Sequence, residues 1–406
     1  MKIGLLQETH PGERRVALVP AQVKQLVQAG HEVLLQSGAG ERSGYLDEHY
    51  REAGAEVIAE RSAVLEQLEA LFAVRFAAAS RGETVESDIA ALPRGALVLG
   101  FLEPYDPQAP VFGALAERGV SAVALELLPR ITRAQSMDAL SATANLAGYR
   151  AAVLAAERLP RVFPMMMTAA GTIIPAQVFV LGAGVAGLQA IATAGRLGAV
   201  VSAYDVRSAV REQVLSLGAK FVEIEVPDAG ADDEAGKREG AGAGAAAAGG
   251  KSAAEAAGGY AKEMDEAFYR AQREKLTSVI AESDAVITTA AVPGRSAPRL
   301  VTEEMVAGMK PGSVLIDLAA ERGGNCELTR AGETVEHHGV QILGPLNIAS
   351  SLAYTASRLY SKNITALFEA LLGEDGRPEL QKDDEIVAAC TVLRDGELLY
   401  GGMRDE

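Results

Sequence analysis

The sequence predicts an α/β protein of two domains, each built around a mostly parallel sheet. Its 406 residues exceed the size at which a single hydrophobic core stops growing. Short apolar runs alternate with helical patterns along most of the chain, which is typical of parallel α/β sheets. We place the first domain at residues 1–135 and 347–406, a bridging helix at 136–160, and the second domain at 161–346.

The first domain opens with a predicted strand and a predicted helix. Lys2–Leu6 is short and apolar, and the amphipathic stretch at 20–29 ends at Gly30, a residue type common at helix C-termini. Gly38 and Gly40 lack a third glycine and a following apolar helix, so they predict a loop. Further strands are predicted at 32–36, 71–76, 96–102 and 120–127.

The bridging helix is predicted from Ser136 to Leu159, where apolar residues recur three and four positions apart. At 1.5 Å per residue it would be roughly 36 Å long, enough to connect two domains with a cleft between them. Pro160 and Pro164 end it. For the three methionines that follow, Met165–Met167, we expect an adaptable filler in a core or hinge.

A strand, a glycine-rich turn, a helix and a second strand then follow in close succession. Val178–Leu181 is apolar, and Gly182, Gly184 and Gly187 fit the pattern G-x-G-x-x-G. A helix is predicted at 188–197 and a strand at 199–204. The first glycine permits the tight turn, the second lets the backbone approach a pyrophosphate, and the third lets the helix pack on the strand. This unit predicts a Rossmann-like, dinucleotide-binding domain with the phosphates at the helix N-terminus.

Asp205 ends the second strand, 18 residues past Gly187, where its carboxylate would accept hydrogen bonds from ribose hydroxyls. The same carboxylate would repel a 2′-phosphate, so we expect NAD(H) rather than NADP(H). The alternative is a tight turn that binds no nucleotide. The residues assigned to the cofactor are Gly182, Gly184, Val185, Ala186, Gly187, Asp205, Val206, Arg207 and Tyr260.

Residues 227–261 interrupt the second domain with a segment made almost wholly of alanine, glycine and charged residues. Such a composition cannot bury enough apolar surface to offset its ordering entropy, so we expect a mobile loop. Tyr260 is its only aromatic residue. The loop is either a lid that brings Tyr260 near the nucleotide or an inert insertion.

The rest of the second domain continues the alternation of strands and helices. A charged helix is predicted at 262–275, and strands are predicted at 220–224, 285–289, 313–318 and 340–343. The chain then forms a helix at 354–372 and two hairpin-like strands at 385–393 and 397–400. We expect this tail to return to the first domain.

Composition disfavours several classes of partner. The formal net charge of −16 argues against nucleic acid and anionic membranes, which attract basic surfaces. The two cysteines, Cys326 and Cys390, fit a reducing compartment and no metal-ligand spacing. The N-terminus becomes polar too early for a signal peptide, and no run approaches the roughly 20 apolar residues of a membrane span. We therefore expect a soluble cytoplasmic protein unless a partner holds it at a membrane.

A polar cluster lies where the first domain meets the bridging helix. Gln135, Asp138 and Ser141 are three positions apart, which would place them on one helical face. Gln135 would bind a nicotinamide carboxamide, and an ion pair between Arg130 and Asp138 would hold that side of the cleft. The alternative is a helix-capping cluster with a solvated ion pair.

Proton carriers are scarce in the middle of the chain, because no histidine occurs between Tyr50 and Glu336. A dehydrogenase that oxidises an alcohol or amine needs such a group, usually histidine or lysine. Hydride transfer between two nicotinamide rings needs only orientation and exclusion of water. The distribution favours the second chemistry, although the ends of the chain could still supply a histidine.

Eight segments together resemble the NAD(H)-binding alpha subunit, or soluble domain I, of proton-translocating NAD(P) transhydrogenase, a relative of alanine dehydrogenase. The resemblance extends over nearly the whole chain. The segments are Arg133–Asp138, Asn145–Arg150, Phe163–Gly171, Gly187–Ala194, Asp205–Arg207, Gly258–Met264, Val286–Thr289 and Gly323–Cys326.

This resemblance implies a homodimer that binds NAD(H) and exchanges hydride, in a Re/Si-specific reaction, with NADP(H) held on a partner component. Membrane subunits would couple the transfer to proton translocation. The chain would be active only with these partners and would lie, through them, at the inner face of the cytoplasmic membrane. By the same likeness, Arg130, Gln135, Asp138 and Ser141 form the nicotinamide-side site, and Tyr260 belongs to the family's mobile loop.

Two departures bear on the function. The alanine- and glycine-rich expansion lengthens the mobile loop. Alanine dehydrogenases share the pattern of Glu8, Thr9 and Arg15–Ala17, but they carry a substrate-binding lysine and a catalytic histidine where this chain has Arg75 and Glu103. An alanine dehydrogenase-like amino-acid dehydrogenase is therefore a disfavoured alternative. A non-catalytic NAD(H)-sensing module is another.

Overall fold

In the computed structural model the described residues are 1–82, 84–106, 108–223, 266–291 and 294–401. The chain divides into two compact units. The first comprises Met1–Ala147 and the chain from Asn347 onward, and the second comprises Gly148–Leu346. The predicted loop at 227–261, Tyr260 and the start of the helix predicted at 262–275 lie outside the described residues.

Short strands form the framework of both units. In chain order they are β1 (Lys2–Leu5), β2 (Glu32–Gln36), β3 (Glu56–Ile58), β4 (Ala70–Arg75), β5 (Leu97–Phe101), β6 (Ser121–Ala124), β7 (Met166–Thr168), β8 (Gly171–Ile173), β9 (Gln177–Leu181), β10 (Val200–Tyr204), β11 (Lys220–Phe221), β12 (Ala285–Thr288), β13 (Val314–Asp317), β14 (Thr334–His337), β15 (Val340–Leu343), β16 (Thr391–Arg394) and β17 (Glu397–Leu398).

The α-helices connect and cover these strands. They are α1 (Pro20–Gln28), α2 (Asp47–Glu52), α3 (Arg61–Gln67), α4 (Val85–Ala91), α5 (Pro110–Glu117), α6 (Ala139–Arg158), α7 (Val185–Arg196), α8 (Arg211–Ser216), α9 (Glu266–Glu282), α10 (Glu303–Ala307), α11 (Ala353–Leu371) and α12 (Glu385–Cys390). No helix among the described residues has both the length and the apolar character needed to cross a bilayer.

The first unit is organised by an eight-stranded sheet in the order β17-β16-β6-β5-β4-β1-β2-β3. Neighbours from β3 to β6 are parallel. β16 runs antiparallel to β6, and β17 antiparallel to β16. The strand order reverses between β1 and β4, and such a switch point opens a crevice at the carboxyl ends of the strands.

The second unit contains a seven-stranded sheet in the order β11-β10-β9-β12-β13-β15-β14. Its strands are parallel except for β14, which pairs antiparallel with β15. The strand order reverses between β9 and β12. The prediction of two Rossmann-like domains, each with a mostly parallel sheet, is therefore confirmed. The cleft predicted between the domains stays a prediction.

Alternating side chains bury both faces of the first sheet. On β4, Phe72 and Val74 point into one core and Leu71 and Ala73 into the other. The first core also takes the buried face of α11, including Tyr360, Ile364 and Phe368. Burial on both faces is expected for parallel strands and explains why their sequences read as continuous apolar runs.

The segment predicted as a strand at 385–393 contains a helix and a strand. α12 occupies Glu385–Cys390, and only Thr391–Arg394 forms β16. Asp384 begins the helix, because its carboxylate accepts hydrogen bonds from the backbone N–H groups of Ile386 and Val387 at 2.9 and 3.3 Å. The prediction is wrong because a short apolar run fits a strand and a helix equally well, and here the capping aspartate decides in favour of the helix.

Two further expectations are corrected. Gln135, Asp138 and Ser141 do not share one α-helical face, because Thr132–Met137 is a 3₁₀ helix and Asp138, with ψ 85°, ends it before α6 begins. Met165–Met167 do not fill a core, and the alternative expectation of a hinge stays a prediction. They lead into and form part of the two-stranded hairpin of β7 and β8, and Met167 is 82% exposed.

Candidate functional site

The glycine-rich turn lies at the switch point of the second sheet, between the carboxyl end of β9 and the start of α7. Gly182 has φ +101°, a conformation that favours glycine. A Cβ on Gly187 would lie 1.9 Å from the carbonyl oxygen of Gly182, so any side chain there would force α7 away from the strand. Gly184, by contrast, is open, since its nearest neighbour would be Arg207 Nη2 at 4.0 Å. The turn therefore leaves room on the side of Gly184, where the N-terminus of α7 offers N–H groups to an anion.

Asp205, at the end of the neighbouring strand β10, is held by the same turn. Its Oδ2 accepts a hydrogen bond from the backbone N–H of Ala183 at 2.7 Å. The guanidinium of Arg207 binds the carboxylate in a bidentate manner, with both N···O distances 2.9 Å. The backbone N–H of Arg207 adds a bond to Oδ1 at 2.9 Å. A carboxylate and an arginine thus lie together beside the glycine turn, with Val206 between them in the chain.

The loop after β12 forms the other wall of this switch point. Thr289 Oγ1 donates to the carbonyl oxygen of Gly182 at 3.0 Å. The side chain of Asn325 accepts from the N–H of Ala290 at 3.0 Å and donates to the Ala290 carbonyl at 2.7 Å. Buried Asp317 accepts from the N–H of Asn325 at 2.7 Å. This network fixes the loop against the glycine turn.

In the first unit, the 3₁₀ helix Thr132–Met137, which we call the Gln135 segment, precedes α6. Gln135 is exposed, whereas Ala134 and Met137 are buried. Asp138 caps α6, because its carboxylate accepts from the N–H of Ser141 at 2.8 Å and from the Ser141 hydroxyl at 2.5 Å. The structure therefore brings Asp138 and Ser141 together. The ion pair predicted between Arg130 and Asp138 stays a prediction.

The switch point of the first sheet is filled by charged side chains. Glu13 pairs with Arg15 at 2.7 Å (Oε2 to Nη2), and both side chains are almost completely buried. Glu13 Oε2 also lies 3.5 Å from Arg75 Nε and accepts from Asn347 Nδ2 at 2.9 Å. Glu8 accepts from the N–H groups of Val74 and Arg75 at 2.6 and 3.1 Å. The adjacent cavity measures about 10 Å³, room for about one water molecule.

These buried carboxylates have opposite protonation preferences. Burial, and then the negative charge of Glu13, raises the pKa of Glu8 to about 7. Burial alone would raise the pKa of Glu13 too, but the Arg15 guanidinium outweighs it and holds that pKa well below its usual range. Burial likewise raises the pKa of Glu126, which follows β6, to about 7. The first unit therefore holds one firmly ionised buried carboxylate, Glu13, and two whose ionisation burial opposes, Glu8 and Glu126.

Sequence reasoning identified the glycines and Asp205 but missed the groups that support them. The roles of Thr289 and Asn325 depend on the pairing of β9 with β12, which no local pattern reveals. The salt link between Arg133 and Asp384 joins positions 251 residues apart. A usable signal did exist for Asp317, since an aspartate that ends an apolar strand in a parallel sheet lies at the functional end of that sheet.

Known proteins share both units of the chain. The family description "Alanine dehydrogenase/PNT, N-terminal domain" matches residues 4–147, and "Alanine dehydrogenase/PNT, C-terminal domain" matches residues 151–401. An alpha-subunit chain of the NAD(P) transhydrogenase of Rhodospirillum rubrum is 45% identical over 401 residues, which cover 98% of each chain. The alanine dehydrogenase of Mycolicibacterium smegmatis is 28% identical over 98% of this chain and 95% of its own.

Among solved structures, the transhydrogenase from Sinorhizobium meliloti superposes with a TM-score of 0.79 at 40% sequence identity and covers 99% of both chains. The fold is therefore shared over nearly its full length with a protein of that name. The transhydrogenase relatives are more similar in sequence than the alanine dehydrogenase.

Proposed function

Because the chain belongs to the alanine dehydrogenase/PNT family, we propose that it is the NAD(H)-binding component of a proton-translocating NAD(P) transhydrogenase. It binds NADH or NAD⁺ and exchanges hydride with NADP(H) held on a partner component, in a Re/Si-specific reaction. Membrane subunits couple that transfer to proton movement. The similarity to the transhydrogenase alpha subunits, at 45% identity in the first case, supports this proposal.

The second-unit switch point is the proposed nucleotide site. Gly184 and the N-terminus of α7 take the pyrophosphate, and Gly182 and Gly187 give the turn its shape. Asp205 accepts hydrogen bonds from the adenosine ribose. Because Ala183 and Arg207 already donate two hydrogen bonds to each of its oxygens, the Arg207 guanidinium gives up at least one of its bonds when the ribose binds. When a dinucleotide binds here, it supplies a nicotinamide C4 that gives or takes a hydride. Val185, Ala186, Val206 and Arg207 contribute backbone and side-chain contacts.

The observation that carries the choice between hydride partners concerns Arg75 and Glu103 in the first unit. An amino-acid dehydrogenase needs a place for its second substrate and a proton carrier near the reacting carbon. Arg75 and Glu103 stand where alanine dehydrogenases have a substrate-binding lysine and a catalytic histidine. Arg75 Nε lies 3.5 Å from Glu13 Oε2, and Glu103 is a carboxylate rather than an imidazole. Because these two positions offer neither that lysine nor that histidine, we place the hydride partner on another protein.

The nicotinamide side of the site is assigned to the cluster at the start of α6. Gln135 is exposed and carries both an amide donor and an amide acceptor, which match a carboxamide. Asp138 and Ser141 hold each other at the helix N-terminus and keep the backbone after Gln135 in place. Arg130, exposed five positions before Gln135, supplies positive charge to the same loop. Hydride transfer between two rings needs no acid, so these residues orient the nicotinamide and exclude water.

We further propose that the chain is a homodimer, bound at the membrane face through partner subunits. The support for the dimer is the hairpin of β7 and β8 with its flanking residues, where Met165, Met167 and Ile174 are 63, 82 and 80% exposed. An isolated two-stranded hairpin is marginally stable in water, and methionine is enriched in interfaces. A second copy that covers this hairpin would bury that apolar surface.

The test is hydride transfer between bound nucleotides. The purified chain is mixed with NADH, a reducible NADP⁺ analogue and a purified NADP(H)-binding transhydrogenase component, and the chain alone serves as the control. Transfer that appears only in the mixture is expected. No transfer in a mixture in which both nucleotides are shown to bind would reject the proposal and favour an NAD(H) sensor. NADH formation by the chain alone from alanine and NAD⁺ would instead establish an alanine dehydrogenase.

A further inference from the structure

Contacts on both sides of Gln135 attach the Gln135 segment to the C-terminal part of the first unit. Two of its residues anchor it through apolar burial, with Ala134 1% and Met137 7% exposed. Its polar residues are tied as well. Arg133 precedes Gln135 by two positions and Ser136 follows it directly, and each contacts a residue that lies more than 200 positions later in the sequence.

The first of these contacts is a bidentate ion pair. The two terminal nitrogens of Arg133 bind the two carboxylate oxygens of Asp384 at 2.7 and 2.8 Å. Exposed ion pairs as a class stabilise little, but a bidentate arginine–carboxylate pair fixes orientation as well as distance. The hydrogen bond from Arg133 lowers the pKa of Asp384 to about 2, so the pair stays charged at neutral pH.

Asp384 is itself fixed in place by α12. Its Oδ1 caps that helix through the N–H groups of Ile386 and Val387. Ile386, Val387 and Cys390 are completely buried and anchor α12 in the core of the first unit. Asp384 therefore connects the N-terminus of α12 to the Gln135 segment.

The second contact comes from α11. Asn363 Nδ2 donates a hydrogen bond to the backbone carbonyl oxygen of Ser136 at 2.8 Å. Because α11 packs its apolar face into the same core, this amide fixes the peptide group between Ser136 and Met137, the second one after Gln135. The Arg133 side chain before Gln135 and the Ser136 carbonyl after it are thus bound to the N-cap of α12 and to α11, which contribute no residue to the proposed site.

We propose that Asp384, through Arg133, and Asn363, through the Ser136 carbonyl, are positioning residues for hydride transfer. This inference rests on the proposed function, because it takes Gln135 as a nicotinamide contact. Neither residue touches the nucleotide. They fix the segment that carries the Gln135 amide, and hydride transfer is sensitive to the placement of such groups, since a misplacement of about 1 Å can cost roughly 100-fold in rate.

The variants are chosen so that folding is preserved. Asp384→Asn removes the charge that binds Arg133 but keeps the helix cap, because asparagine caps as well as aspartate. Arg133→Lys keeps the charge but loses the two-point contact. Asn363→Ala removes the second tie. Glu32→Gln, which breaks the exposed Lys2–Glu32 pair at 3.8 Å in the same unit, is the matched control.

Three quantities are measured on each variant in the full chain: amide hydrogen exchange of residues 132–138, NADH affinity, and single-turnover hydride transfer with the NADP(H)-binding component. NADH fluorescence reports affinity without tryptophan background, since the chain contains no tryptophan. We expect Asp384→Asn and Asn363→Ala to raise exchange about tenfold in residues 132–138 and to slow transfer by roughly 10- to 100-fold. We expect NADH affinity to change by less than about threefold, with Arg133→Lys intermediate and Glu32→Gln like the wild type.

A general loss of folding would lower NADH affinity and raise exchange everywhere, so confinement of the change to residues 132–138 separates positioning from stability. The inference is overturned if Gln135→Asn slows transfer while Asp384→Asn and Asn363→Ala do not, and the proposed function then stands. If Gln135→Asn leaves transfer unaltered, the assignment of Gln135 fails, and the inference fails with it. Unaltered exchange at residues 132–138 in both variants would show that the two contacts do not order the segment.

Discussion

At the level of single residues, Asp205 shows what spacing can and cannot predict. Its distance from the glycine turn predicts an acid beside the turn, because the length of α7 and β10 fixes where the chain returns. The hydrogen bond from the Ala183 N–H confirms that place, and the ribose role stays a prediction. The sequence did not reveal that Arg207 binds the same carboxylate in a bidentate manner. That contact needs the backbone to bend back within two residues, a local geometry that no spacing rule specifies. We therefore expect nucleotide choice at this position to depend on both charges.

Replacing Asp205 by Asn is expected to weaken the preference for NADH over NADPH by about tenfold or more, which corresponds to roughly 1.4 kcal/mol. The change removes the negative charge that repels a 2′-phosphate. It also releases the Arg207 guanidinium, a group that accommodates that phosphate in other dinucleotide sites. Dissociation constants for NADH and NADPH, measured by nucleotide fluorescence, give the ratio.

Glu223→Gln serves as the control for that experiment, because it breaks the exposed Arg211–Glu223 pair at 2.8 Å in the same unit without approaching the glycine turn. Its ratio of the two dissociation constants should equal that of the wild type. An unaltered ratio in Asp205→Asn would contradict the ribose role of Asp205 and would leave the backbone of the turn as the main source of discrimination.

At the level of secondary structure, strands and long helices were predictable, whereas short capped elements were not. The buried strands β4, β5, β9 and β12 read as apolar runs because both faces of a parallel sheet are covered. α12 and the Gln135 segment were missed for a different reason. Each spans only 6 residues, too few for a period to develop. Their boundaries are set by Asp384 and Asp138, whose capping bonds compete with continued helix or strand.

The crevice at the carboxyl ends of β1 and β4 predicts a pH dependence of stability. Glu8 has its pKa raised to about 7 by burial and by the charge of Glu13. A raised pKa means that the folded state binds the proton more tightly than the unfolded state. The stability that protonated Glu8 contributes is therefore complete below about pH 4.5, the ordinary pKa of a glutamate. This contribution is lost as the pH rises through about 7, the pKa of Glu8 in the folded state.

Replacing Glu8 by Gln is expected to remove that loss. The glutamine stays neutral at every pH and its carbonyl oxygen can still accept from the Val74 N–H. Relative to the wild type, the free energy of unfolding of Glu8→Gln should therefore increase between about pH 4.5 and pH 8, on the order of 3 kcal/mol at most, from about 1.36 kcal/mol per pK unit. Urea denaturation across this range measures the difference. Glu48→Gln, at an exposed carboxylate, is the control, and a pH-independent difference for Glu8→Gln would contradict the assignment.

At the level of the whole molecule, the two units share one sheet architecture but carry different side chains at its switch point. In both, the strand order reverses between the first and fourth strands of the sheet, which creates two comparable crevices. In the second unit, Gly182, Gly184 and Gly187 shape the turn at that crevice, which we propose as the nucleotide site. In the first unit, Glu13 and Arg15 form a buried ion pair at the corresponding place. On the proposed function, the chain binds one nucleotide at the second crevice and exchanges hydride with a nucleotide held on a partner.

The exposed hairpin of β7 and β8 predicts that the chain is a dimer whose interface can be broken by one charge. Replacing Met167, 82% exposed, or Ile174, 80% exposed, by Glu would place a carboxylate in an apolar contact. Burial of an unpaired charge costs several kcal/mol, and in a symmetric dimer each substitution counts twice. We expect a dimer for the wild type and a monomer for both variants at micromolar concentration, measured by sedimentation velocity.

A matched substitution tests whether the effect belongs to the hairpin or would follow from a charge at any exposed apolar position. Leu46, in the first unit, is 51% exposed, and Leu46→Glu should leave the dimer intact. A monomeric wild type, or a dimer that persists in both hairpin variants, would contradict the hairpin interface. Because the glycine turn and Asp205 belong to a different part of the second unit from the hairpin, the monomeric variants should still bind NADH. Retained NADH affinity in a monomer would show that nucleotide binding is a property of the single chain.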